Sequence, residues 1–389
     1  RPETVEVFKR DAAAALTHAA GWWWYEFSKG QAGPQARPWF ADKAILGLAT
    51  QLKTIYERGL RVPHRGPKAQ IAVFYHGETL TGMDLFAPTA QVNITISRLT
   101  FVNAMQRIGT PFDFYNLADI PVLHERGLLK QYRLCVFLNP FYLTPAERSS
   151  LDLCKGGERT LLWLWAPGLG GSDRSPNADN VSALIEIPGV RALEQRAVQS
   201  YQLCDPEHPL NAGLESEARF AALPFPPGAT WECFGNDVWP VLYVDPERCG
   251  ADTEILGQWV LNGEPAHERI AYCSRANIGG RDGRWRSVYA AVPLLNAAQL
   301  RNLAREAGVH IYWEGDEIFF AGAGFLSLHT GNEASEGVLR LPEVSDAYDV
   351  FSGRAACSHA KEIAVDMAPC STMVWALGKR NEKGDTGTD

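Results

Sequence analysis

The chain has 389 residues, 46% of them hydrophobic, with a formal net charge of -8 and a sequence pI near 5.7. That length suits two or three globular domains, and the acidic balance argues against nucleic acid or an anionic membrane as the main partner, because both call for a basic face. No apolar run approaches the ~20 residues of a membrane-spanning helix.

Arg1 stands first and no charged-then-apolar leader follows, so either a leader has been removed or the chain is a piece of something longer. The eight cysteines, Cys135, Cys154, Cys204, Cys233, Cys249, Cys273, Cys357 and Cys370, are scattered, with no Cys-x-x-Cys pair and no zinc-type Cys/His spacing. Neither a metal nor a cofactor is expected. Cys135 falls mid-strand and Cys154 on a helix, which suits small buried thiols in a reducing, cytoplasmic setting; a few disulfides in an exported protein are the alternative.

Residues 4–20 read as a helix with Thr4 as N-cap, with Phe8, Ala12, Ala15, Leu16 and Ala19 on one face and Gly21 as its stop. The run Gly21-Trp22-Trp23-Trp24-Tyr25-Glu26-Phe27-Ser28-Lys29-Gly30 follows. A near-continuous aromatic run bounded by glycines suits a parallel strand covered on both faces. By alternation Trp22, Trp24 and Glu26 share one face, which puts a carboxylate beside two indoles at the strand's C-terminal end, where α/β barrels build their sites. The plainer reading makes the aromatics core and Glu26 the first exposed residue after the strand. A second helix carries Phe40, Ile45, Leu48, Leu52, Ile55 and Tyr56 inward and stops at Gly59.

After the linker Val62 to Pro67, strands alternate with helices. Strands are predicted at Gln70 to Tyr75, Pro111 to Asn116, Arg133 to Leu138 and Thr160 to Trp165. Asn93 is read as the cap of a helix presenting Leu99, Val102, Met105 and Ile108, and Thr144-Pro145-Ala146-Glu147 is a capping box with Pro at the first helical position. Such alternation means a parallel, doubly wound sheet. From Pro206 to Gly283 the signal weakens to short runs such as Val241 to Val244 and Ile270 to Cys273. Arg286 to Leu294 then reads as a strand, and Asn296 caps a helix with Leu300, Leu303 and Ala307 inward. Short strands follow at 309–313, 318–321, 325–329, 338–341, 347–351, 361–365 and 372–377 with no helix between them, the pattern of a small antiparallel β-sandwich.

This order resembles the C-terminal part of family 42 type β-galactosidases. The residues carrying the likeness are Leu16 to Gly21 leading into Trp22 to Lys29, the run Trp163-Leu164-Trp165-Ala166-Pro167-Gly168, and Phe325-Leu326-Ser327-Leu328-His329-Thr330. The resemblance implies that residues 1–62 end a catalytic (β/α)8 barrel. It makes 63–308 a flavodoxin-like, glutamine amidotransferase-like trimerisation domain, 309–378 a β-sandwich and 379–389 a disordered tail. It also implies a homotrimer acting on carbohydrate by retaining hydrolysis of a β-galactoside or related linkage. Its two catalytic glutamates would precede Arg1, which leaves Trp22, Trp24 and Glu26 as candidate substrate-binding residues and no assignable catalytic residue. The alternative is a non-catalytic assembly and carbohydrate-contact module.

Rival chemistries in the middle domain are weak. Thr79-Leu80-Thr81-Gly82 looks like a flavodoxin phosphate loop, but Pro88 separates it from a helix expected only near Asn93. An amidotransferase nucleophile needs a cysteine at the strand-to-helix elbow, and the elbow reads Leu138-Asn139-Pro140-Phe141-Tyr142-Leu143. Gly168 to Gly171 lacks the Lys and Ser/Thr of a P-loop. His18, His76, His124 and His329 stand isolated and read as structural histidines. Arg281 to Arg286 reads as a solvated hairpin.

Overall fold

The computed structural model describes residues 2–21, 42–61, 68–83, 92–94, 96–171, 175–193, 200–214, 219–221, 240–261 and 264–378. The predicted aromatic strand with Trp22, Trp24 and Glu26, the predicted linker 62–67, Cys233 and the predicted tail 379–389 lie outside the described residues. The chain divides into two compact units. One comprises Ala69–Met105 and Phe112–His310; the other comprises Arg1–Lys68, Gln106–Pro111 and Ile311–Asp389.

The first of these is a mixed α/β unit built on one large sheet. Strands β1 (Ile71–Tyr75), β2 (Phe112–Asn116), β3 (Leu134–Phe137), β4 (Arg159–Leu164) and β11 (Gly283–Ala290) run parallel in the order β2-β1-β3-β4-β11. The apolar runs of β1, β3 and β4 are buried on both faces, as strands covered by helices on both sides must be. Their aromatics form a file across the strands: the Phe74 and Phe137 rings stack at 5.3 Å and those of Phe137 and Trp163 at 4.3 Å. Each such pair adds about 0.5–1.5 kcal/mol to the area it buries. The crossovers include the helices Ile120–Glu125 and Pro145–Leu151. The expected capping box is present, with Thr144 accepting from the Glu147 amide and Glu147 reaching back to the Thr144 amide. Asn93 instead sits within a short helical turn, and the helical stretch Ile96–Ala104 after it is wound as a π-helix.

Beyond β11 the sheet turns antiparallel through β10 (Glu264–Gly280), β9 (Thr253–Leu261), β6 (Ser200–Leu203) and β7 (Arg219–Ala221). A branch adds β8 (Val241–Val244) on β10 and β5 (Val190–Leu193) on β8. Here the weak sequence signal conceals long strands. β10 alternates exposed Glu264, Glu268 and Asn277 with partly and fully buried residues, so only its apolar centre stands out in sequence. The expected basic hairpin is the β10–β11 turn, closed by the Gly280–Gly283 pair, with Arg281 and Asp282 exposed and Trp285 buried behind them. The helix Ala297–Glu306 follows its predicted cap: Asn296 and Gln299 make a reciprocal capping box, and Leu300 and Leu303 are buried.

The second unit joins helices α1 (Pro2–Thr17) and α2 (Lys43–Arg61) to a five-stranded antiparallel sheet in the order β12-β13-β16-β14-β15. Its strands are β12 (Ile318–Gly322), β13 (Phe325–His329), β14 (Ser335–Asp349), β15 (Ala355–Met367) and β16 (Thr372–Leu377). Ala13 and Leu16 of α1 pack on Phe325, Val374 and Ala376, while Ala12 meets Leu48 and Leu52 of α2. Glu6 ties α1 to β16 by accepting from the Thr372 amide at 2.7 Å. The other face of the sheet buries Leu326, Leu328 and Trp375 with Leu339, Leu341, Ile363 and Val365. The expected two-sheet sandwich is therefore one continuous sheet that folds over itself. The bend has a physical cause: the β14–β15 register shifts between Arg340 and Ser345, around Pro342, which cannot donate to the ladder. That bulge fuses two predicted strands into β14. Residues 309–313 form no strand; Tyr312 and Trp313 instead donate their amides to the Gly109 carbonyl.

Candidate functional site

In an open parallel sheet, ligands bind outside the carboxyl ends of the strands where the strand order reverses. Here that point lies between β1 and β3, since the chain leaves β1 toward β2 and returns on the other side. His76 directly follows β1, and Asn139 to Tyr142 follow β3. The two strand ends are sewn together by Asn139, whose Oδ1 accepts from the His76 amide at 2.9 Å and whose Nδ2 donates to the His76 carbonyl at 3.2 Å. The side chain thus continues the ladder one step beyond the strands.

The His76 ring is buried, at 2% exposure, and both nitrogens are engaged. Nδ1 lies 2.7 Å from Thr79 Oγ1, and Nε2 lies 2.9 Å from Glu147 Oε1 and 3.4 Å from Glu78 Oε2. The Thr79 hydroxyl also accepts from the Phe141 and Tyr142 amides, at 3.2 and 3.4 Å. A hydroxyl has two lone pairs and one hydrogen. With both pairs so used, its hydrogen points to Nδ1, and this network assigns the ring proton to Nε2, facing the carboxylates. Glu147 does two jobs, because its Oε2 accepts from the Thr144 amide and hydroxyl at 2.7 Å each while Oε1 faces His76. Burial alone would raise the Glu147 carboxyl; the Thr144 and His76 hydrogen bonds outweigh it and hold the group below the ordinary glutamate range. Burial, and then the nearby Glu78 charge, push the Tyr75 phenol up.

The loop after β4 completes this edge. Trp165 is buried with φ at 59°, a left-handed conformation that costs a bulky residue strain. It is held by Nε1 donating to the Pro240 carbonyl at 2.8 Å and by its own carbonyl accepting from the Tyr289 hydroxyl at 2.6 Å. Gly170 bridges to Tyr142, and a Cβ there would stand 2.3 Å from the Tyr142 ring, so the close approach of the two loops requires glycine.

Among the described residues, this arrangement shows no thiol and no uncommitted Thr79 hydroxyl. The elbow after β3 carries no thiol, the Thr79 hydroxyl is buried and committed, and His76 has no free ring nitrogen, so acyl-transfer chemistry of the amidotransferase kind lacks its parts. The flavodoxin-like loop reading fails for the same reason: Gly77–Thr81 is a single helical turn, with Thr79 turned into the protein. Among the described residues, His76 is the one of the four isolated histidines with two carboxylates at its ring. His18 Nδ1 lies 2.7 Å from the Ala14 carbonyl and His329 Nδ1 lies 2.8 Å from Thr372 Oγ1, while His124 is exposed. Sequence reading missed the cluster because Glu147 stands 71 positions from His76. Its only sequence signal was the capping box, which explained Glu147 without pointing elsewhere. The sequence-predicted site residues Trp22, Trp24 and Glu26 lie outside the described residues. Seven cysteines among the described residues are free thiols, and no helix among those residues is long and apolar enough to cross a membrane.

No family model matches the sequence, and no curated protein matches it. Solved structures do match in fold. A β-galactosidase from Bacillus circulans sp. alkalophilus aligns over 86% of this chain and 45% of its own, with 12% identity and a TM-score of 0.57. A GH42 β-galactosidase from G. stearothermophilus, solved as a catalytic mutant, aligns over 86% and 44% with 13% identity and a TM-score of 0.52. A β-galactosidase from Halorubrum lacusprofundi aligns over 86% and 43% with 14% identity and a TM-score of 0.52. The chain therefore spans less than half the length of each of these proteins, and its fold is GH42-like, a mixed α/β architecture with a curled antiparallel sheet.

Proposed function

We propose that this chain is the C-terminal part of a retaining glycoside hydrolase of the GH42 β-galactosidase type, acting on a β-galactoside or related oligosaccharide linkage. In this reading α1, the aromatic run and α2 close a catalytic (β/α)8 barrel whose two glutamates precede Arg1. The unit around β1 is a flavodoxin-like, amidotransferase-like domain kept for trimer assembly, and Trp22, Trp24 and Glu26 line a sugar subsite. The observation that carries the reading is the fold likeness, which runs through 86% of this chain but 45% of the β-galactosidase it matches. The parallel order β2-β1-β3-β4-β11 agrees with it, being the strand order of flavodoxin-like sheets.

A specific observation favours the second half of the proposal, that this chain does no chemistry by itself. A retaining mechanism needs two carboxyl groups ~5 Å apart that flank the glycosidic oxygen. Among the described residues, the carboxylate pair converging at the sheet edge, Glu78 and Glu147, faces a buried imidazole instead. The test compares hydrolysis of an aryl β-galactoside by this chain and by the product of its complete reading frame. The chain alone should be inert and the complete product active. An inactive complete product without further barrel strands would remove the glycosidase reading and leave the assembly module.

A further inference from the structure

The His76 cluster has a charge imbalance that its own hydrogen bonds do not resolve. Two carboxylates approach one ring nitrogen, at 2.9 and 3.4 Å, and a neutral imidazole has a single proton to offer there. Among the described residues neither Glu78 nor Glu147 makes an ion pair with Lys or Arg. Nothing else shown in the cluster offsets the second negative charge.

We propose that His76 Nε2, Glu78 and Glu147 Oε1 bind a first-row divalent cation, with zinc favoured by the ligand set. The three ligand atoms lie within 4.8 Å of one another. A tetrahedral ion with bonds of ~2.1 Å sets its ligands ~3.4 Å apart, and the distances from Nε2 to the two carboxylates, 2.9 and 3.4 Å, already approach that edge length. One imidazole and two carboxylates suit zinc or its neighbours, whereas magnesium and calcium take shells of oxygen alone. Glu147 can bind through Oε1 without giving up its cap, because Oε2 serves Thr144. Glu78 is the exposed partner, its side chain 65% accessible to solvent.

Thr79 supplies the outer support that ligating histidines use to fix their ring. On loading, the ring proton moves from Nε2 to Nδ1 and is donated to Thr79 Oγ1, while the hydroxyl hydrogen turns away and the longer contact, 3.4 Å from the Tyr142 amide, gives way. The step is a tautomer switch within the His76–Thr79 pair.

The test strips the chain with chelator and titrates it with cobalt(II), then with zinc(II) in competition. One cobalt should bind per chain with the visible d–d absorption of a four- or five-coordinate site, displaced by zinc, and the His76 nitrogen resonances should exchange the Nε2–H pattern for Nδ1–H. Glu78→Gln, at an exposed residue, should leave the metal-free melting temperature unchanged and weaken cobalt by at least ~10-fold, since loss of outer-shell support alone costs that much. His76→Gln should abolish the absorption. Absence of stoichiometric binding overturns the proposal. So does binding that survives both substitutions, because the metal would then sit on cysteines or other histidines.

Discussion

Replacing Glu147 by alanine removes two separate supports, and their sizes can be estimated independently. The first is the cap of Pro145–Leu151: the Thr144 amide and hydroxyl both lose their acceptor, which costs about 1 kcal/mol. The second is the nearer acceptor for His76 Nε2, at 2.9 Å in a ring 2% exposed, and its loss leaves that donor only the longer 3.4 Å contact with Glu78. A buried donor left unsatisfied costs about 1–3 kcal/mol. The sum is about 2–4 kcal/mol, and at about 2–4 °C per kcal/mol for domains of 150–250 residues the melting temperature should fall by about 4–16 °C. Thermal unfolding followed by circular dichroism, with chelator present, is the assay. Two companions separate the terms. Thr144→Ala removes the cap alone and should cost about 1 kcal/mol. Glu147→Gln keeps an acceptor for Thr144 but turns an amide donor toward Nε2–H, so it should cost about as much as the second term alone. A Glu147→Ala shift within about 1 °C would refute the reasoning, for it would mean that water replaces both contacts. The loss should also depend on pH. The folded-state carboxyl is depressed, so its contribution is present in full above the unfolded glutamate pKa of about 4.3 and disappears as the pH falls through the lower folded value. Wild type and Glu147→Ala should converge in stability in that acid range.

Gly109 has φ at 74° and a Cβ there would lie 1.7 Å from the Trp313 carbonyl oxygen, so Gly109→Ala should lower the melting temperature of its unit or prevent its folding, as read by calorimetry. Trp375→Ala, at the centre of the folded-over sheet, should cost about 3–5 kcal/mol by denaturant titration. Assembly is checked by light scattering: a trimer at tens of micromolar supports the proposed role of the middle domain, and a clean monomer counts against it. In the proposed full-length hydrolase Glu26→Gln should reduce kcat/KM about 10- to 100-fold with the melting temperature held, and unchanged kinetics would remove Glu26 from the proposed subsite.

The parallel half of the sheet was legible because its physics is local. β1, β3 and β4 are apolar runs that can only be strands buried on both faces, and Thr144 and Asn296 announce their helices through side chains that reach three residues ahead. The antiparallel half was not. In β10 the exposed polar residues Glu264, His267, Glu268 and Asn277 flank a centre, Ile270 to Ser274, that is buried on both faces, so the ends of the run read as loop until their partners are known. In β14, Pro342 looks like a break, and it becomes a bend only because the β15 hairpin continues past it. Propensity gave the right residue its ordinary meaning there, and tertiary pairing overrode it.

The candidate site was illegible for a related reason. Its residues lie in two stretches that each make complete local sense: His76 ends a strand, and Glu147 closes a capping box. Nothing at position 147 asks for a second partner until β1 and β3 are laid side by side, when the crossover brings the first turn of Pro145–Leu151 against the end of β1. A carboxylate already fixed at a helix start by two hydrogen bonds is a well-oriented acceptor, because the entropy of holding it has been spent on the cap. It can therefore hold an imidazole, or share it with an ion, at little further cost. Asn139 on His76 and His76 on Glu147 thus hold the ends of β1 and β3 to the first turn of Pro145–Leu151.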